Sequence, residues 1–177
     1  MSARAAAIDV FVADEQSAEP VDAGRWSRLT TDVLAAQGVR GSAEVSLLFV
    51  DETAMAELNL RFMGREGPTD VLAFPIDDDV ATFSARNADP TGPGPPPDLE
   101  DSDIPSLIGD VVVCPAVARR NAAEHAGPDH GGTYEDELAL LVVHGVLHLL
   151  GMDHADDAEA EVMQARERDL LGRFHRQ

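Results

Sequence analysis

The stretch TYEDELALLVVHGVLHLLGMDH, residues 133–154, decides how this chain is read. Thr133 followed three positions later by Asp136 is a helix-capping pattern, in which a hydroxyl takes a backbone N–H of the first turn. LALLVVHGVLHLL then continues as a long apolar helix, and Gly151 closes it. On that helix His144 and His148 project about 40° apart around the axis and about 6 Å along it, so their imidazoles can share one ion. Gly151 lets the chain turn without the Cβ clash of a left-handed residue. After the turn, His154 can come back to face the same ion. Three neutral imidazoles leave the fourth tetrahedral position for water, the open arrangement of a catalytic rather than a structural zinc site.

A single histidine on an apolar helix is usually a satisfied core or surface group, and a pair at i, i+4 is weak support for a metal. This segment holds three of the chain's six histidines, with a glycine between the second and third. Two of them sit in a strongly apolar helix, where unpaired imidazoles would cost free energy that a metal offsets.

Outward from this segment, helices and strands alternate. AIDVFVA, residues 6–12, reads as a strand, and residues 22–37 show helical apolar spacing at Trp26, Leu29, Val33 and Leu34, with Gly38 where a stop belongs. Residues 43–50 form a second strand candidate. Asp51 caps a helix to about Phe62, with Met55, Leu58 and Phe62 on one stripe. Asp70–Pro75 and Leu107–Cys114 are the third and fourth strands, and Pro115 opens a helix, PAVARRNAAEHA. Asp156 caps a last helix with Val162, Leu170 and Leu171 as core candidates.

Residues 77–106, with DDD, PTGPGPPP and DLEDSD, cannot sustain a helix or central strand. They read as an exposed, mobile loop, either a binding element or an insertion of little function. The expected fold is α/β (α+β): a single mixed, mostly parallel sheet of about four strands packed with helices, the histidine helix near the C-terminus. One domain over residues 1–177 is expected.

The net charge is −20, and all 13 basic side chains are arginine. Such a surface opposes non-specific attraction to phosphate backbones. Any phosphate contact must come from arginine forks, backbone N–H groups or the metal. The one cysteine, Cys114, cannot form an internal disulfide and is a small core candidate. No apolar run reaches the roughly 18–20 residues that span a bilayer, and no signal peptide is read at the start. The expectation is a cytoplasmic protein with no membrane partner.

Residues 144–154 match the histidines and glycine of the metzincin protease pattern HExxHxxGxxH, but position 145 is glycine where those proteases carry their general base. The same cage therefore points to a different reaction, with a peptidase kept as an alternative. The segment resembles the signature HGxLHLxGxDH of the YbeY family of bacterial endoribonucleases. GPTDVLAFP at 67–75 is similar to that family's PT-[ND]-VLSFP stretch, with Ala73 for the usual serine, and IGDVVVCP at 108–115 resembles its GD-plus-strand block. Leu58–Asn59 and Glu137 also fit, and the matches run in family order from about residue 43 to 172.

The resemblance implies a zinc-dependent, single-strand-specific endoribonuclease acting in 16S rRNA 3′-end maturation and 70S ribosome quality control. His144, His148 and His154 would hold one zinc ion with an open position. RNA and the ribosomal small subunit or assembly factors are the implied partners. A non-catalytic assembly factor with a structural zinc is a further alternative. Many family members carry a functional arginine where this chain has Met63; Arg61 and Arg65 lie close enough to supply the guanidinium. Asp153 is a candidate to orient His154 or accept a proton, Glu137 to support a ligand, and Asp110 to close the pocket. Arg119 and Arg120 are candidates for a local positive cleft.

Overall fold

The computed structural model describes residues 7–76 and 105–176. Among these residues lie four strands and five helices, in the order β1 (Ile8–Asp14), α1 (Ala23–Ala36), β2 (Ala43–Phe49), α2 (Glu52–Met63), β3 (Val71–Pro75), β4 (Ser106–Val113), α3 (Pro115–Asn121), α4 (Tyr134–Leu149) and α5 (Asp157–Phe174). They form one sheet in the order β1–β2–β4–β3, with β1, β2 and β4 parallel and β3 antiparallel to β4. The mixed, mostly parallel sheet expected from the sequence is what is found.

Burial follows from which faces the helices cover. β2 alternates, with Ala43, Val45, Leu47 and Phe49 in the main core and the residues between them only half-buried. This is the period-two pattern of a strand covered on one face. In β4, Val111 and Val113 enter that core, while Val112 and the following Cys114 join a second cluster with Met55 of α2 and Leu72 of β3. A run of consecutive apolar residues here marks a strand covered on both faces. Cys114 is fully buried, and burial raises its thiol pKa. It is the small core residue expected.

Helix α4 lies against β3 and β4 on one side and against α1, α3 and α5 on the others. That explains its all-round apolar sequence: Leu138, Ala139, Val142, Val143, Val146, Leu147 and Leu149 are each at most 1% exposed. Its start is the capping box read from the sequence, with Thr133 Oγ1 accepting from Asp136 N at 3.1 Å and the Asp136 carboxylate accepting from Thr133 N at 3.3 Å. Asp51 and Asp156 cap α2 and α5 in the same way, accepting from Ala54 N and Glu159 N.

Four local expectations are corrected. β1 runs two residues later than read, because its parallel register with β2 continues to Asp14 opposite Phe49. Phe62 is 52% exposed; Met55 is buried as read, and Asn59 joins it on the inward face of α2. Val162 is 62% exposed, and Met163 takes its place on the inward stripe of α5 with Leu170 and Leu171. Helix α3 ends at Asn121 rather than continuing through Ala126. The expected 77–106 loop lies outside the described residues except at its end, where Ser106 already opens β4. Among the described residues no helix is long and apolar enough to cross a membrane.

Candidate metal centre

The end of α4 builds the site. Gly151 adopts φ +86°, and its N–H bonds to His148 O while Met152 N bonds to Leu147 O, each at 3.0 Å. This pair of bonds is the Schellman motif, which satisfies the last helical carbonyls and reverses the chain. The reversal brings residues 152–154 back across the helix end. Asp153 Oδ1 then accepts the backbone N–H of His154 at 2.7 Å, fixing the short link into α5.

The three imidazoles converge. Ring centroids are 4.5 Å apart for His144 and His148, 5.1 Å for His148 and His154, and 5.6 Å for His144 and His154. One ligand nitrogen from each lies within 4.8 Å of the others, and no further His, Cys, Asp or Glu joins the group among the described residues. The Nε2 atoms of His144 and His148 are 3.0 Å apart. Two nitrogens held about 2.0–2.1 Å from a tetrahedral zinc lie about 3.3–3.4 Å apart, so this edge needs only a small opening to accept the ion.

Protonation also suits a cation. Burial lowers the pKa of His148, and the neighbouring His144 and His154 lower it further, against a smaller opposing effect of Asp153. The neutral imidazole, the form a metal needs, is therefore favoured. His144 Nδ1 lies 2.6 Å from Glu167 Oε1 of α5. A carboxylate oxygen accepts, so this contact suits the tautomer with its proton on Nδ1, which leaves the Nε2 lone pair on the side of His148. Glu167 was missed in the sequence. Its signal was a carboxylate four residues after Met163, on the buried stripe of an otherwise amphipathic helix.

The triad opens into a groove of about 480 Å³ lined by the α4 turn, β3 and the end of α2. Met63, Arg65, Thr69 and Ala73 line it together with the histidines, as does the exposed Asp153. Arg65 sits just past α2, whose C-cap is the left-handed Gly64. Buried Asn59 pins this loop: its Nδ2 donates to Gly67 O at 2.9 Å and its backbone carbonyl accepts from Arg65 N.

Other candidates lie elsewhere. Arg61 does not line the groove; its guanidinium stacks 5.2 Å from the Phe62 ring. Arg119 is paired with Glu19 and stacked on Tyr134, and Arg120 is paired with Glu52. Neither contributes to a positive cleft at the triad. Glu137 shares a helix face with His144 but lies two turns earlier, fully buried against His125 and His130, so it does not support a triad ligand. Asp110 is exposed and borders a different groove, with Glu44, Ser46 and Phe11. At Gly145 an added Cβ would lie 2.5 Å from Val111 Cγ1, so α4 rests on β4 where a metzincin carries its glutamate.

Comparison with known proteins bears on this geometry. The family model described as Endoribonuclease YbeY matches residues 11–175. An endoribonuclease YbeY of Frankia alni is 46% identical over 162 residues, covering 92% of this chain and 80% of that protein. Another, from Thermobifida fusca, is 41% identical over 169 residues and covers 96% of both chains. A solution structure of a Thermotoga maritima protein superimposes with a TM-score of 0.52 over 93% of this chain and 91% of its own, at 23% identity, and shares the fold. A match along nearly the whole chain, with relatives well above 30% identity, places the protein: it belongs to the YbeY endoribonuclease family.

Proposed function

We propose that this chain is a zinc-dependent endoribonuclease that cuts single-stranded RNA. Its expected setting is 16S rRNA 3′-end maturation and 70S ribosome quality control, with rRNA precursor and the ribosomal small subunit or its assembly factors as partners. On this reading residues 1–177 form one domain. The observation that carries it is the convergence of His144, His148 and His154 on one point at the wall of an open groove. Relatives bearing the endoribonuclease name over most of their length support the same reading.

The donor set fits zinc: three imidazoles, with no fourth protein ligand among the described residues. When bound, the cation supplies Lewis acidity, polarising a non-bridging phosphate oxygen or acidifying water. The chain's own residues do the rest. His144 and His148 are held by a rigid buried helix, and the Asp153 carboxylate sets the backbone at His154. Arg65 lines the groove, where a guanidinium can bind phosphate and stabilise charge developing on it. The groove edge formed by β3 and Met63 offers apolar surface to a base.

A peptidase is disfavoured by the wall at Gly145, which leaves no room for the glutamate that such chemistry uses. A structural zinc would want a fourth protein ligand. The test is cleavage of a single-stranded RNA by purified protein and by His144→Ala, His148→Ala and His154→Ala, with zinc content measured on each. Each substitution should lower bound zinc and abolish cleavage together. Wild-type cleavage by any metal-free variant would overturn the proposal. A 2′,3′-cyclic phosphate on the product would assign attack to the RNA's own 2′-hydroxyl, and a simple phosphate end to water.

A further inference from the structure

We infer that Glu167 is the positioning residue of the metal centre: its carboxylate fixes His144 in the tautomer whose Nε2 lone pair faces the cation. The inference rests on the metal reading above and adds a residue that the histidine motif does not contain.

Its geometric basis is the 2.6 Å contact from His144 Nδ1 to Glu167 Oε1, a short charge-assisted hydrogen bond. Glu167 is 8% exposed, and His144 is its hydrogen-bonding partner among the described residues. A buried carboxylate loses hydration, and a residue on the Met163–Leu170–Leu171 stripe would pack at less cost as leucine or methionine. The cost is offset by a partner that can donate. With Nδ1–H committed to Glu167, Nε2 of His144 has no proton and lies 3.0 Å from Nε2 of His148. The arrangement is a carboxylate–imidazole pair with the second imidazole nitrogen aimed at the ion site, which orients the ring and raises its basicity as a ligand.

A purely structural tie between α4 and α5 would give the same contact, so the test uses readouts that such a tie would not move. In the metal-free wild type, nitrogen-15 NMR of the histidine rings at mildly alkaline pH should show His144 protonated at Nδ1. Finding it protonated at Nε2 would overturn the inference, without recourse to any variant. Zinc affinity, measured by competition with a chromophoric chelator, should fall about 10–100-fold in Glu167→Ala. Glu167→Gln keeps an acceptor for Nδ1–H and should recover most of that loss. The cobalt-substituted protein should keep its tetrahedral visible bands in the Gln variant and show them shifted in Ala. Wild-type zinc affinity in Glu167→Ala, or a Gln variant as weak as Ala, would overturn the inference. If the Ala variant fails to fold, the wild-type tautomer and the Gln affinity decide. A wild type that binds neither zinc nor cobalt, yet shows His144 protonated at Nδ1, would sink the proposed function and not the orientation of this ring.

Discussion

Gly145→Ala is the change that most sharply tests how the histidine helix is seated. The added Cβ would lie 2.5 Å from Val111 Cγ1, 3.2 Å from Cγ2 and 3.4 Å from Cβ. Carbon atoms pack comfortably at about 3.5–4.0 Å, so one wall must retreat by about 1 Å. Neither retreats easily. Val111 is 1% exposed, β-branched and stiff about χ1, on a strand paired on both sides. Helix α4 is itself wedged by α1 and α5. Overpacking of this kind costs about 1–3 kcal/mol, against about 1 kcal/mol gained by replacing glycine with alanine in a helix. With both walls stiff, the net expected is a destabilisation of about 1–2 kcal/mol.

Val111→Ala alone removes two buried methyl groups and should cost about 2 kcal/mol, transfer and cavity together. In the double variant the new Cβ occupies the space those methyls leave. The pair should therefore cost about 1–2 kcal/mol instead of the 3–4 kcal/mol of the summed singles, a coupling of about 2 kcal/mol. Urea unfolding of the metal-stripped proteins, read as shifts in midpoint at constant slope, measures all three. A Gly145→Ala protein at least as stable as wild type, or strictly additive singles, would refute the close seating of α4 on β4. It would also reopen position 145 to a glutamate and with it the peptidase reading.

The remaining predictions concern the helix cap and the groove. At Asp136, burial would raise the carboxyl pKa, but hydrogen bonds from Thr133 and His175 outweigh it and hold it at about 2, from an ordinary 3.8. A depressed pKa stabilises the fold above the unfolded value, and the contribution, about 2 kcal/mol, is lost as pH falls from about 4 toward 2. Asp136→Asn should remove that acid-limb slope in a pH series of thermal melts; an unchanged slope would assign the acid sensitivity elsewhere. Arg65→Ala should lower kcat/KM for RNA about tenfold or more with zinc content unchanged, and Arg65→Lys should recover part, lacking the planar fork. Unaltered kinetics in Arg65→Ala would remove the guanidinium from the proposed chemistry.

What was legible in the sequence was local. The Thr133 capping box, the Gly151 reversal and the Asp51 and Asp156 caps each depend on residues within a few positions of one another, and each forms as read. The convergence of the three rings follows from the same locality, since helix period and one turn set all three. The sheet's mixed character was legible from alternation of elements, but its order β1–β2–β4–β3 was not, because strand pairing is a contact between distant segments. Glu167 stayed hidden for the same reason: 23 residues separate it from His144, and α5 is crowded with acids of which it alone turns to the triad. Glu137 failed in the opposite way. Helical period placed it on the right face, but the loop carrying His125 and His130 folds over that end of α4 and claims it.

The acidity of the chain and the nuclease reading can be reconciled at the groove. Of the arginines, Arg119, Arg120 and Arg168 are paired with Glu19, Glu52 and Asp129, so they neutralise neighbours rather than build a positive surface. Arg65 lines the groove, and a dication at the triad would add the largest positive charge there. Attraction to phosphate is then confined to the few ångströms around the ion, while a surface of net charge −20 repels the rest of an RNA strand. On the proposed function, such a site would discriminate by access: a flexible single strand can bring one phosphate to the ion while its neighbours bend away, whereas a stiff duplex brings them along. On this argument, the groove contributes selection and chemistry, and the proposed ribosomal partner would supply binding strength by presenting the strand.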